Sequence, residues 1–192
     1  MIDGEINMMK LKQKLNLKVF ILFIIFISLF LVACQNNEVD SKTDSLKQIS
    51  SWQNYELIDL NTNENYKILE LGNKPILVES FATWCPTCTK QQKEKKKLHD
   101  QLGDDIISVG LNTDPNEDDN IVLNHIKKNN FDWPFSIVPI EMTRELTAKF
   151  GNSILSTALA PLILICPDKS EHLLLGGFKS MIKINNLINE KC

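Results

Sequence analysis

Apolar and polar positions alternate along this chain in two different periods, and the switch between them marks out its elements. Tyr55–Leu60 (YELIDL) and Tyr66–Leu71 (YKILEL) read as two short strands separated by the polar turn NTNEN. Ile76–Ala82 (ILVESFA) is a nearly continuous apolar run, as expected for a central strand buried on both faces. A helix is predicted from Cys85 to Leu102, then a strand over Ile106–Leu111. Asp114-Pro115-Asn116 reads as the cap of a second helix running to Asn129, with Ile121, Val122, His125 and Ile126 forming its apolar stripe. A short strand follows at Phe135–Val138, then a helix from Met142 to Phe150 stopped by Gly151. Leu162–Cys166 is the next strand. Leu173–Leu175 returns as a hairpin arm, and Ser180 caps a last helix with Ile184, Leu187 and Ile188 on one face. This order predicts an α/β fold, a central mixed sheet with helices on both faces. A doubly wound nucleotide-binding fold would need a glycine-rich turn after its first strand, and there is none.

Upstream, the pattern is of another kind. Lys10, Lys12, Lys14 and Lys18 precede Val19–Val32, fourteen residues without a charge. That is short of the roughly 20 residues a spanning helix needs and suits the apolar core of an export signal. It ends in Leu31-Val32-Ala33-Cys34, which resembles the bacterial lipobox: cleavage before Cys34 and a diacylglycerol on its thiol. The alternative is an uncleaved signal anchor. On the lipoprotein reading, residues 1–33 are a signal peptide, 34–50 a flexible tether without an apolar face, and 51–192 the folded domain. The chain is then held to the outer face of a membrane by lipid on Cys34. Gln35 in the next position permits sorting to an outer membrane where the organism has one.

Composition narrows the function. With 192 residues, 43% of them apolar, the chain has material for one core. Lys plus Arg number 21 against 24 Asp plus Glu, a net charge of −3, so no basic surface for nucleic acid is expected. Arg144 is the single arginine, expected on a solvated helix face. Trp52 and Trp133 read as packing residues. Nothing in the pattern demands an oligomer, and a monomer is expected.

The chemistry concentrates in Phe81-Ala82-Thr83-Trp84-Cys85-Pro86-Thr87-Cys88. Two cysteines separated by two residues at a strand-to-helix junction form a redox dithiol motif. Cys85 falls at the helix cap, where unpaired N–H groups and the dipole favour a thiolate. Pro86 fits the first helical turn, and Cys88 is one turn further in, placed to resolve a mixed disulfide. Trp84 is expected to cover the exposed sulfur and offer an apolar contact to a partner. The alternatives for this pair are a structural disulfide or half of a zinc site. Zinc needs two further ligands, while His99, His125 and His172 are scattered and no second CxxC exists. No metal and no cofactor beyond the dithiol are expected. Glu79 interrupts the apolar strand on the same face as Leu77 and Phe81. Buried there, its pKa rises, and it can take the proton of Cys88; the alternative is a solvent-facing glutamate. Pro161 directly precedes an apolar strand, a position that tolerates the loss of an N–H.

ILVESFATWCPTC (76–88) resembles the thioredoxin superfamily, in particular the membrane-tethered TlpA/ResA-like thiol-disulfide oxidoreductases. The resemblance runs on through NTDPNEDD (112–119), ELTAKFG (145–151), Ala160-Pro161-Leu162 and Gly176-Gly177 to the last helix. It implies a thioredoxin-like three-layer sandwich with an N-terminal β extension and an inserted helix. It makes Cys85 the nucleophile, Cys88 the resolving thiol and Glu79 the buried acid. It also implies a cis bond before Pro161, and a substrate groove formed by Trp84, Pro86, Thr87, Ala160 and Pro161, in which the Ala160 backbone pairs with an extended substrate. The partners it implies are an exported protein carrying a disulfide and a membrane thiol donor that recharges the dithiol. Reduction, for instance of apocytochrome c haem-site cysteines, is the direction most of that family takes.

The chain departs from the pattern at three places. Ala160 stands where threonine or valine is usual. The stretch Gly151–Pro161 is lengthened by NSILSTAL, which either enlarges the groove wall or extends the preceding helix. The helix after Cys88 (TKQQKEKKKLHDQL) has Gln92 and Lys95 where aliphatic residues are usual, so weak packing is expected, with its lysines favouring the thiolate at range. Cys166 is expected to be an inert core thiol and Cys192 a mobile free one. Three other functions fit less well. A peroxidase of peroxiredoxin type needs a threonine at Ala82. A copper-delivery protein needs one more residue between the cysteines. A non-catalytic lipoprotein module has no need of the dithiol.

Overall fold

The computed structural model describes residues 51–156 and 159–192. The expected signal peptide, tether and lipidated Cys34 lie outside them. In chain order the elements are β1 (Leu57–Ile58), β2 (Asn65–Tyr66), β3 (Ile76–Phe81), α1 (Pro86–Leu102), β4 (Ile107–Asn112), α2 (Asp119–Asn129), β5 (Phe135–Ile137), α3 (Ile140–Phe150), β6 (Leu162–Ile165), β7 (Glu171–Leu174) and α4 (Met181–Lys191).

β3 is buried at all six positions because it is the middle strand of a five-stranded sheet of order β5-β4-β3-β6-β7. β3, β4 and β5 run parallel; β6 and β7 are antiparallel additions. Alternation along β3 sorts its side chains. Ile76 and Val78 pack with Val109, Leu111, Met142 and Leu146 under α3. Leu77 packs with Leu98 and Ile184 under α1 and α4. Phe81 packs with Val122 and Ile126 of α2. This is the expected three-layer α/β sandwich.

The N-terminal β extension is shorter than the pattern predicts. β1 and β2 form a two-residue ladder, and the rest of the second predicted strand is a 3-10 turn, Ile68–Glu70. Ile68 is wholly buried, so this run is held by that side chain, and among the described residues no strand completes a ladder with it. The extension instead protects the edge of the sheet. Leu60 N–H donates to Phe135 O at 2.8 Å, and Phe135 N–H donates to Asp59 Oδ1 at 3.1 Å.

The inserted helix α2 begins five residues after the predicted cap. Asp118 caps it, accepting from Ile121 N–H at 3.0 Å, while Asp114 accepts from Asn116 N–H in a turn of its own. The lengthened stretch after Gly151 forms a 3-10 turn, Asn152–Leu155, that buries Ile154 and does not extend α3.

Two cysteine expectations are corrected. Cys166 and Cys192 form a disulfide, so neither is a free thiol and the end of α4 is fastened to the end of β6. Spacing alone does not show such a partner, because the two cysteines meet only once α4 has packed on the sheet.

Candidate active site

β3 ends at Phe81, and the chain leaves it through a tight turn in which Cys85 N–H donates to Ala82 O at 3.1 Å. Cys85 keeps an extended backbone and caps α1. Its sulfur accepts the N–H of Cys88 at 3.0 Å, Pro86 occupies the first helical position, and Thr89 N–H donates to Cys85 O at 3.1 Å. A sulfur taking an N–H at a helix start is placed where negative charge is favoured. Cys85 and Cys88 are joined as a disulfide, with Cα atoms 5.3 Å apart. Both cysteines are only 1% exposed, whereas Trp84 is 62% exposed. Trp84 thus stands exposed beside two buried sulfurs. Its indole N–H is turned aside to the carboxylate of Asp114. Pro86 is exposed and Thr87 half-buried beside it. A cavity of about 370 Å³ opens next to the motif, lined by Phe81, Ala82, Trp84, Asp114, Pro115 and Leu155 among others. Leu155 belongs to the stretch lengthened after Gly151, so that stretch contributes to the wall of this cavity.

Ala160 and Pro161 enter β6 one step ahead of Leu162, which pairs with Glu79 across the sheet. They lie beside the end of β3 that delivers the dithiol, and both are buried. The bond before Pro161 is trans, against the cis geometry implied by the resemblance. Trans is the intrinsically preferred isomer, and here the chain bends ahead of β6 through Ala160 itself, at φ 40°.

Glu79 is wholly buried on the face of β3 that carries Phe81. Burial pushes its pKa up, and the charges of Lys95 and Lys179 pull the other way. Its neighbour across the parallel ladder is Gly110, which offers no side chain, so the counter-ion comes from helix α1. Lys95 Nζ lies 2.9 Å from Glu79 Oε2 and 5.2 Å from the centre of the Trp133 ring. Burial pushes the Lys95 ammonium down, opposed by the carboxylate.

This corrects the expectation of a weakly packed helix. Gln91, Gln92 and Lys95 are all fully buried, and each has a polar role. Gln91 exchanges two hydrogen bonds with the Lys179 backbone, at 2.8 and 2.9 Å. Gln92 Oε1 meets His125 Nε2 at 2.7 Å. Lys95 thus meets Glu79 at contact range from inside the protein. Lys179 Nζ in turn donates to Gly177 O at 2.6 Å and to Ala160 O at 3.4 Å.

Sequence reasoning missed Lys95, Lys179 and Glu117. The carboxylate of Glu117 receives Thr83 N–H, 3.0 Å from each oxygen, together with the Thr83 hydroxyl and the Asn112 side-chain amide. Within NTDPNEDD nothing distinguished it from the neighbouring acids. Among the described residues, no group of three or more His, Cys, Asp or Glu side chains is placed to hold a metal ion. No described helix is long and apolar enough to cross a membrane.

The Redoxin family model matches residues 38–167. A comparison with curated proteins finds no match. Several solved structures share the fold. A secreted Mycobacterium tuberculosis disulfide oxidoreductase, described as homologous to Escherichia coli DsbE, superposes with a TM-score of 0.59 at 11% identity, covering 73% of this chain and 98% of that one. A thiol:disulfide interchange protein of the thioredoxin family from Chlorobium tepidum gives 0.58 at 15% identity, covering 71% and 91%. StoA from Bacillus subtilis gives 0.52 at 15% identity, covering 69% and 93%.

Proposed function

This chain belongs to the Redoxin family, and from that premise we propose that it is a thiol-disulfide oxidoreductase that reduces protein disulfides outside the cytoplasm. The observation that carries the proposal is the cap of α1, where the Cys85 sulfur accepts the Cys88 N–H at 3.0 Å and is bonded to Cys88. In the reduced protein that cap favours the Cys85 thiolate. The thiolate attacks one sulfur of a substrate disulfide, forming a mixed disulfide and releasing the other substrate sulfur as a thiolate. Cys88 passes its proton to Glu79 and attacks Cys85. The second substrate thiol leaves, the Cys85–Cys88 disulfide forms, and two electrons have moved to the substrate. A membrane thiol donor reverses the change in the dithiol. On this reading Trp84, Pro86, Thr87, Ala160 and Pro161 contact the substrate, and of these Trp84 lines the cavity beside the motif. Haem-site cysteines of apocytochromes c are the substrate class we favour.

Two features support the extracytoplasmic address. The Cys166–Cys192 disulfide suits an oxidising compartment, and Leu31–Cys34 fits lipid attachment at Cys34. The M. tuberculosis relative is itself described as secreted.

The test is a Cys88→Ser chain expressed in cells, which should accumulate mixed disulfides through Cys85. Absence of any Cys85-linked partner, with the protein folded and exported, overturns the proposal. Equilibration with glutathione checks the direction: a potential well below about −200 mV is expected of a reductase.

A further inference from the structure

Three donors, two of them from Thr83 just upstream of the dithiol, converge on one half-buried carboxylate. Glu117 lies in the loop between β4 and α2, and it takes the Thr83 N–H at 3.0 Å, the Thr83 hydroxyl and the Asn112 amide. Thr83 is the first inner residue of the turn closed by Cys85 N–H and Ala82 O at 3.1 Å. That turn carries Cys85 from the sheet to the start of α1. Asn112 sits opposite Phe81 in the ladder, and its own Oδ1 is buried without a hydrogen-bond partner. An amide held that way leaves one polar atom unsatisfied in order to serve the carboxylate. The loop itself is braced where it leaves the sheet. Thr113 N–H donates to Phe81 O at 3.1 Å, and the Thr113 and Ser80 hydroxyls lie 2.9 Å apart.

We propose that Glu117 is a positioning residue of the dithiol: it fixes the turn that presents Cys85 to the helix cap, and its negative charge restrains thiolate formation there. The proposal rests on the oxidoreductase reading of Cys85 and Cys88. Its physical content is a balance. The helix cap draws charge onto the sulfur, while a carboxylate bound two residues upstream repels it. The protein keeps the turn rigid and gives up part of the cap's effect.

Three variants in the full chain carry the test. Glu117→Gln retains an acceptor and nearly the same shape but removes the charge. In a Cys88→Ser background, thiolate absorbance should show the Cys85 titration moving down by about half a unit, the scale of a partly screened charge. With Cys88 present, the glutathione equilibrium should move about threefold toward the dithiol. Glu117→Asp keeps the charge and shortens the reach. Its titration should stay with the parent, while attack on a model disulfide slows severalfold because the turn is less well held. Thr83→Val, which removes only the hydroxyl donor, should slow attack less than Glu117→Asp does. A Glu117→Gln chain with parental titration and equilibrium overturns the electrostatic role. If Glu117→Gln does not fold, Glu117→Asp decides: parental attack kinetics there overturn the proposal. The Cys88→Ser trapping with Glu117 intact is independent of these outcomes, so failure of the oxidoreductase reading is seen separately.

Discussion

Lys95 Nζ lies 2.9 Å from Glu79 Oε2, and neither side chain reaches solvent. The pair joins the central strand to the helix that carries both redox sulfurs. Gly110, the neighbour of Glu79 in the ladder, contributes no side chain and the Phe135 ring takes that place, so the counter-ion reaches Glu79 from α1, with its ammonium against the face of Trp133. Two charges removed from water cost several kcal/mol each, and their attraction offsets this only while both are present.

A double-mutant cycle should expose that dependence. Glu79→Leu and Lys95→Met alone are each expected to destabilise the domain by about 3–5 kcal/mol, because each strands a buried charge. The double substitution should cost much less than the sum of the two. Urea unfolding at neutral pH measures all three. Additive losses would mean that the two groups do not interact.

The pair also sets a pH signature. Burial raises the pKa of Glu79 in the folded chain above its unfolded value. The stability this contributes is fully present below the ordinary glutamate pKa of about 4.3 and is lost as pH rises through the folded value. Lys95 opposes the shift, so removing it raises the folded pKa further. Lys95→Met should therefore lose urea stability more steeply than the parent as pH rises from mildly acidic to alkaline. A flat or rising profile in the variant would contradict the sign.

Glu79 is expected to matter to one chemical step in particular. Glu79→Gln keeps the shape but cannot take the Cys88 proton, so resolution of a preformed Cys85 mixed disulfide should slow by about a hundredfold. In the parent the resolution rate should climb with pH through the raised pKa of Glu79, and in the variant this limb should disappear. Stopped-flow release of a chromophoric thiol follows it directly. Initial attack by Cys85 should change far less.

The stretch most legible from sequence is the one governed by local rules. WCPTC needs only a strand, a cap and a first helical turn, all of which lie within a few residues of one another. Glu79 stood out because it broke an apolar run. Lys95 did not, because a lysine in a lysine-rich helix looks solvated until the helix docks on the sheet. Lys179 and Glu117 were invisible for a similar reason: their partners, Ala160 and Thr83, come from other elements. Asp114 fits a helix cap in the local pattern, but in the fold its carboxylate takes the Trp84 indole N–H, and Asp118 caps α2. The resemblance supplied a cis bond at Pro161, and the chain makes its bend at Ala160.

Cys166 and Cys192 close a stretch with a sequence separation of 26. In the chain-entropy account a loop of that length is worth about 3.5 kcal/mol. Cys192→Ser should lower the thermal midpoint by several degrees while leaving the fold and the Cys85–Cys88 exchange intact. Thiol titration of the unfolded, unreduced variant should find one new thiol, Cys166, relative to the parent. An unchanged midpoint would mean that α4 is held by packing alone.

Gly110 gives the sharpest packing test, because the glycine serves the buried charge pair through an aromatic chain. A Cβ built there falls 2.3 Å from Phe135 Cδ1 and 2.4 Å from Cε1, far inside contact distance. The Phe135 ring packs against Phe81, Phe131 and Trp133, with centroids 5.4–5.8 Å away, and Trp133 is the face on which Lys95 rests. Gly110→Ala must therefore push Phe135 outward and disturb the seat of the ammonium, at an expected cost of about 1–3 kcal/mol for overpacking. Phe135→Leu removes the ring that clashes, so adding it to Gly110→Ala should recover part of the loss, even though Phe135→Leu alone destabilises. If the two losses simply add, the glycine is not required by the ring, and the route from Gly110 through Trp133 to Lys95 does not carry the effect.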